Sequence, residues 1–382
     1  MTNMSAAIDT LTRRRVDDPD LVRQLNGLIE ECGGDSTSRD GRLVRDLLAT
    51  SLKLITDRRH TGELKLLTNS FKEMRHAYRV FGGYNGAPRV SIFGSARTPA
   101  DHPDYQTAVS FSRMMAEQGW LVITGAGEGI MKAGHEGPGP QNSFGLSIRL
   151  PFETTANSVI SGDHKLINFR YFFTRKLMFL SQSQAITAFP GGFGTQDELL
   201  EALTLIQTGK SAVVPVVLIE GPDSNYWERW DRYVREELLG GGFLSPADTS
   251  LYYLAIDAQD AVDHITRFFS NYHSSRYVGR ELVLRLRSPL TTRQLRHLNR
   301  EFADLVEAGE MYQRPADDIE GEYLDLPRLV FTHTRASFGR LRQLIDRVND
   351  YALDNGRALD NRGAADSGRA LDNGRALDND GA

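Results

Sequence analysis

From Pro88 to Phe269 short runs that are apolar on both faces alternate with stretches of helical period, and no other feature constrains the fold as tightly. Residues 89–93, 120–124, 144–150, 185–189 and 213–219 read as buried strands, with a further strand at 251–257. Between them, residues 103–119, 171–183, 195–207, 225–239 and 258–269 carry helical spacing. Strands without a polar face need cover on both sides, and parallel strands need helical crossovers. The pattern predicts an α/β fold, a doubly wound Rossmann-like parallel sheet at 87–272, with its ligand beyond the carboxyl ends of the strands.

The flanks differ in character. Leu21, Leu25, Leu28 and Ile29, then Leu43, Leu47, Leu48, Leu52 and Ile55, recur at the spacing of a buried helical stripe, broken between Gly33 and Gly41. A helical N-terminal extension is therefore expected over 1–86, as packing material or an oligomer contact. Residues 281–287 and 329–332 read as strands, each followed by a helical run, which suggests a small α+β C-terminal appendage at 273–350. The motif GRALDN occurs at 356–361, 368–373 and 374–379, and one leucine per repeat builds neither a core nor a heptad seam. A disordered low-complexity tail is expected over 351–382.

Composition narrows the function classes. With 45 Lys plus Arg against 50 Asp plus Glu, the formal charge of −5 offers no global attraction to nucleic acid or anionic lipid. The single cysteine excludes an intrachain disulfide, a CxxC redox pair and a cysteine-based zinc cluster. The opening MTNMSAAIDTLTRRR has no apolar core, and no run approaches the length of a membrane span. A small-molecule ligand and a cytoplasmic location are expected, with neither nucleic acid nor membrane as a partner.

Three glycine turns follow strands of the predicted sheet: Gly94-Ser95-Ala96-Arg97, Gly125-Ala126-Gly127-Glu128-Gly129-Ile130-Met131 and Pro190-Gly191-Gly192-Phe193-Gly194-Thr195. Glycine lets main-chain amides approach an anion, and a following helix aims its first amides and its dipole at the same point. A phosphorylated ligand suits such a set, whereas any one turn alone is ordinary strand-to-helix geometry. The second turn reads GxGxG, and no acidic residue ends a second strand about twenty positions on, so the dinucleotide fingerprint is incomplete. Gly209-Lys210-Ser211 is not a Walker loop, because Thr204 stands where glycine is required and the segment ends a helix.

Two readings stand for Glu198. Thr195 and Glu198 have the T-x-x-E spacing of a capping box. Alternatively, a carboxylate one turn from a phosphate nest faces the sugar of a nucleotide, while Asp197, about 100° around the helix, points elsewhere. Upstream, Phe169-Arg170-Tyr171-Phe172-Phe173-Thr174-Arg175-Lys176 mixes cations with aromatics. Core packing and a solvated face explain it; so does a bidentate grip on phosphate with rings that stack on a base.

Pro190, Gly191, Gly192, Gly194, Thr195 and Glu198 together spell PGGxGTxxE, with Arg175 and Lys176 on the preceding helix. In these residues the chain resembles the LOG family, long labelled lysine decarboxylase-like, over roughly residues 85–270. The turn at 125–131 is similar to the family's GGGxxGIM-like element, with Ala126 and Glu128 departing from its common forms. No lysine context for pyridoxal phosphate stands out. The resemblance implies a nucleoside 5′-monophosphate phosphoribohydrolase that cleaves the N-glycosidic bond of AMP or of cytokinin riboside 5′-monophosphates, assembled as a dimer or larger homo-oligomer, without metal or organic cofactor.

On this basis Arg175 and Glu198 are the expected catalytic pair. Gly94, Ser95, Gly125, Gly127, Gly129, Met131, Lys176, Gly191, Gly192, Gly194 and Thr195 are the expected substrate contacts. Asp163, His164 and Glu128 stand as alternatives for an acid that protonates the leaving base. The rival reading is a non-catalytic binding or carrier protein for a nucleotide or phosphorylated cofactor.

Overall fold

The structure, a computed structural model, describes residues 18–149, 156–316 and 321–354, without the side chains of residues 353 and 354. Of the tail expected to be disordered over 351–382, residues 351–354 are instead helical, because Tyr351 and Ala352 pack against the core, and the rest lies outside the described residues, as does the opening segment through residue 17. Two compact units divide the chain between Lys72 and Glu73.

The first unit is helical, as the spacing predicts. Helix α1 (Pro19–Glu31) starts at Asp18, whose side chain accepts from Asp20 N, and has proline at its first position. Helix α2 (Arg39–Thr56) starts at Ser38, which caps Gly41 N at 2.9 Å. The stripe itself is less buried than expected. Leu25, Ile29 and Ala49 are buried, whereas Leu43, Leu47, Leu48, Leu52 and Ile55 are exposed. Helix α3 (Thr61–Gly82) runs from this unit into the second.

The second unit contains the predicted sheet. Strands β1 (Arg89–Phe93), β2 (Leu121–Thr124), β3 (Ser143–Ile148), β4 (Leu166–Phe169), β5 (Ala185–Ala188), β6 (Val216–Leu218) and β7 (Tyr253–Leu254) are ordered β4-β3-β2-β1-β5-β6-β7, every pairing parallel. The crossovers include α4 (Pro103–Glu117), α5 (Ile130–Glu136), α6 (Phe172–Ser181), α7 (Phe193–Gln207) and α8 (Tyr226–Tyr233), and α9 (Ala258–Phe268) follows the last strand. Strands β1, β2 and β5 are buried along their whole length, which accounts for their unbroken apolar character. The order reverses at β1, whose two neighbours are β2 and β5. A crevice opens where chains leave adjacent strand ends in opposite directions.

Two features escaped the pattern. β4 is a four-residue edge strand with Asn168 exposed, and α5 occupies part of the glycine-bearing turn. The 225–239 helix stays α-helical only through Tyr233, and residues 234–239 continue it as a π-helix.

The C-terminal part is an antiparallel sheet of β8 (Tyr272–Val278), β9 (Glu281–Leu286), β10 (Val306–Arg314) and β11 (Arg328–His333), in the order β10-β11-β9-β8. Only the central pair was legible. The edge strands β8 and β10 are largely polar and partly exposed, so they lack the hydrophobic signature of a covered strand. Helices α10 (Thr292–Glu301) and α11 (Phe338–Asp354) accompany this sheet. Its residues Leu284, Leu286 and Phe331 share one buried cluster with Ile186, Leu199 and Ile206 of the parallel-sheet layer.

Gly209 joins the two layers. Helix α7 ends in a Schellman arrangement, with Gly209 N on Ile206 O at 3.1 Å and Lys210 N on Leu205 O at 2.8 Å. Gly209 has φ +69°, and a Cβ there would overlap the Phe338 ring of α11. This helix end also agrees with the rejection of a Walker loop at 209–211. Gly209→Ala should cost about 2–4 kcal/mol, adding left-handed strain to overpacking. Urea unfolding of variant and wild type checks the value; a loss below about 1 kcal/mol would refute this account of the joint.

Candidate active site

The three glycine turns converge at the switch point. Ser95 N donates to Pro190 O at 3.1 Å, tying the first turn to the third, and Ile130 N donates to Ser95 O at 3.0 Å, tying the second to the first. Gly129 has φ +62°, and a Cβ there would overlap Ser95 O, so only glycine allows this approach. At Gly191 a Cβ would stand 3.0 Å from Ser95 N and overlap Thr195 Oγ1. Gly94 is packed against Ile130, and Gly125 against Met131, whose Sδ would lie 2.6 Å from a Cβ at Gly125. Met131 therefore supports the second turn from beneath.

Helix α7 starts at Phe193, with Gly192 as its cap residue and no side-chain cap. Thr195 is thus already inside the helix, its N–H within 3.0 Å of Gly192 O. The capping box allowed by the T-x-x-E spacing does not form. Gly192, Phe193 and Gly194 are exposed, Phe193 almost fully, while Thr195 and Glu198 are buried. Exposed first-turn amides backed by a helix dipole form an anion-receptive end.

Glu198 is 5% exposed, and its Oε2 has no hydrogen-bond partner. Cations from α6 surround it: Arg175 Nη2 lies 3.7 Å from Oε1 and Lys176 Nζ 4.0 Å from Oε2. Burial raises the Glu198 carboxyl to about 7, against the opposing pull of Lys176 and Arg175. The desolvation cost wins because neither cation makes a close hydrogen bond to it. A carboxyl near neutrality in a crevice is poised for acid–base work.

Lys176 Nζ bonds Glu201 Oε2 at 2.6 Å and Asp197 Oδ2 at 2.7 Å, so its charge is engaged by carboxylates of α7. Arg175 lies over the Phe172 and Phe179 rings, 5.1 and 5.7 Å from their centroids. A Cβ at Gly125 would stand 3.8 Å from Arg175 Nη1, which puts the guanidinium between Glu198 and the second turn.

Two of the candidate acids lie away from the glycine turns, and the third, Glu128, is on the second of them. Asp163 and His164 precede β4, at the amino edge of the sheet and opposite the glycine turns. Asp163 pairs with Lys165 Nζ at 2.8 Å and is held below its usual range, the lysine contacts outweighing burial. Glu128 is exposed beside Lys132 at 3.6 Å.

One residue invisible to motif reading braces the third turn. Tyr226 OH donates to Gly191 O at 2.6 Å and accepts from Gln196 Nε2 at 2.7 Å. With Ser224, Asn225, Arg229 and Trp230 it also lines a cavity of 410 Å³ beside this turn. Its 35-residue separation from Gly191 leaves no sequence signal.

Residues 125–265, which include the second and third turns, Arg175 and Glu198, match the family model described as possible lysine decarboxylase. This segment is a LOG-family domain. It is similar to two probable cytokinin riboside 5′-monophosphate phosphoribohydrolases of Oryza sativa subsp. japonica. One is 25% identical over 192 residues, 48% of this chain and 79% of the relative. The other is 33% identical over 100 residues, 26% of this chain and 44% of the relative, under half that protein's length. Among solved structures, the molybdenum cofactor binding protein of the phototrophic bacterium Rippkaea orientalis aligns at 18% identity and TM-score 0.35, covering 47% of this chain and 96% of that one. No helix among the described residues is long and apolar enough to cross a membrane.

The burial of Glu198 in the LOG-family domain has a stability consequence. Its folded-state value of about 7 lies above the ordinary carboxyl value of 4.5. The protonated group therefore contributes stability below about pH 4.5 that is lost as pH rises through about 7. Glu198→Gln escapes this loss. Its advantage over wild type should grow between these pH values and level off above them, by up to about 3 kcal/mol. Denaturant midpoints at pH 5 and pH 8 test this, and an advantage that shrinks with pH would contradict it.

Proposed function

We propose that the LOG-family domain hydrolyses the N-glycosidic bond of a nucleoside 5′-monophosphate, AMP or a cytokinin riboside 5′-monophosphate, releasing free base and ribose 5-phosphate. The observation that carries this reading is the buried, uncapped Glu198 carboxylate, held between Arg175 and Lys176 beside three converged glycine turns. The names of the two rice relatives point to the same chemistry.

The 5′-phosphate is received by the amides of Gly192 and Gly194 and by the Thr195 hydroxyl, with the turn at Gly125, Gly127 and Gly129 and with Ser95 of the first turn, which Gly94 leads into. As the base departs with the C1′–N electron pair, positive charge builds on the sugar, and a carboxylate beside it gains interaction in the transition state. Glu198 supplies that charge and takes a proton from the water whose oxygen bonds to C1′; the departing base nitrogen gains a proton from solvent, and Glu198 returns its own to solvent, so that free base and ribose 5-phosphate balance substrate and water. Arg175 orients Glu198 and the ribose. Lys176, occupied by Asp197 and Glu201, fixes α6 against α7 and keeps Glu198 in register.

Assays with AMP and isopentenyladenosine monophosphate, scoring free base and ribose 5-phosphate, test the activity. Glu198→Gln should lower kcat at least about a hundredfold while nucleotide affinity is retained. Turnover at the wild-type level in the variant would return Glu198 to a packing role, and tight nucleotide binding without products from wild type would favour a carrier.

The pH profile gives a separate check. Because Glu198 acts as the carboxylate and titrates at about 7, kcat/KM of wild type should fall as pH drops below about 7, approaching tenfold per pH unit. A flat profile from pH 5 to pH 8 would exclude Glu198 as the base.

A further inference from the structure

Asn157 is 1% exposed and is not used by the proposed chemistry. Its main-chain N–H donates to Ala126 O at 2.8 Å, and its side-chain Nδ2 donates to Gly127 O at 2.9 Å. One residue thereby holds two consecutive carbonyls of the second glycine turn. In a trans peptide the carbonyl and the following N–H point in opposite directions. Drawing both oxygens toward Asn157 turns the amides of Gly127 and Glu128 away from it, side by side. Ala126, at φ +63°, supplies the left-handed step that characterises such amide nests.

His135 determines which way the Asn157 amide faces. Its Nε2 lies 3.0 Å from Phe144 O, an atom that only accepts, so Nε2 carries the proton and Nδ1 accepts from Asn157 Nδ2 at 3.2 Å. The two hydrogens of Asn157 Nδ2 are then assigned to His135 Nδ1 and Gly127 O, and Oδ1 accepts from Val159 N at 3.2 Å. Thr124 Oγ1 closes the network, accepting from Ala126 N at 3.1 Å and lying 2.9 Å from His135 Nε2. Burial keeps His135 neutral by pushing it down to about 4. The Nε2–H···O bond to Phe144 fixes the His135 tautomer, that tautomer fixes the way the Asn157 amide faces, and this orientation sets the turn.

We propose that Asn157, oriented by His135, is the positioning residue of the second turn and holds the Gly127 and Glu128 amides as a phosphate-binding pair. The identity of the ligand rests on the nucleotide reading above; the hydrogen-bonded clamp does not.

Asn157→Asp in the full chain tests it. The substitution preserves size but replaces the Nδ2 donor with an oxygen that faces Gly127 O and His135 Nδ1. KM for the nucleotide hydrolysed by wild type, and the calorimetric Kd for inorganic phosphate, should each rise about tenfold, with kcat within about threefold. If this variant fails to fold, Asn157→Ser is read in the same way, since it keeps the main-chain bond to Ala126 O and withdraws the side chain from Gly127 O.

Unchanged KM and phosphate Kd in a folded variant overturn the proposal, as does a fall in kcat alone. Wild type that binds phosphate but releases no base refutes the hydrolase reading, and the phosphate arm then decides the clamp. Wild type that binds no phosphate and turns over no nucleotide refutes both.

Discussion

A parallel sheet can send its chain outward in two directions from one strand, and β1 is that strand here. Of its neighbours, β2 ends at Thr124 and β5 begins only at Ala185, yet both end beside the turn at Gly94. The Ser95 N to Pro190 O and Ile130 N to Ser95 O bonds follow from that adjacency, as does the demand for glycine at positions 129 and 191. Each turn separately is a tight strand-to-helix connection. Their shared location turns them into one surface of main-chain donors backed by the α7 dipole.

Charge is distributed in this crevice so that the most buried acid is not the most closely paired. Lys176 gives its short contacts to Asp197 and Glu201, and Arg175 stands 3.7 Å from Glu198 while facing two aromatic rings. A tightly bonded carboxylate would be stabilised as an anion and catalytically inert. The looser arrangement leaves Glu198 near neutrality, and Glu198 Oε2 without a hydrogen bond.

Most of the parallel sheet was legible because burial on both faces writes a continuous apolar run, as in Val90-Ser91-Ile92-Phe93 and Leu121-Val122-Ile123. Edge strands do not write that signal. Leu166–Phe169 alternates toward solvent, and Val306–Arg314 is mostly polar, so both required the neighbouring strand to be recognised. The leucines of α2 show the opposite case: helical spacing was read correctly, but the spacing carries no information on what covers the face.

Sequence alone determined the α/β alternation, the three glycine turns and the proximity of a Glu-bearing helix to one of them, because these depend on local periodicity and on the few residues that tolerate such turns. Tertiary structure alone removed the capping-box reading of Glu198: the helix begins at Phe193 with Gly192 as its cap residue, and the carboxylate lies beside cations from another helix. It alone also brought Tyr226 to Gly191 and Asn157 to Gly127. Hydrogen bonds across 30 or more residues depend on where strands stack in space, and no local pattern encodes that.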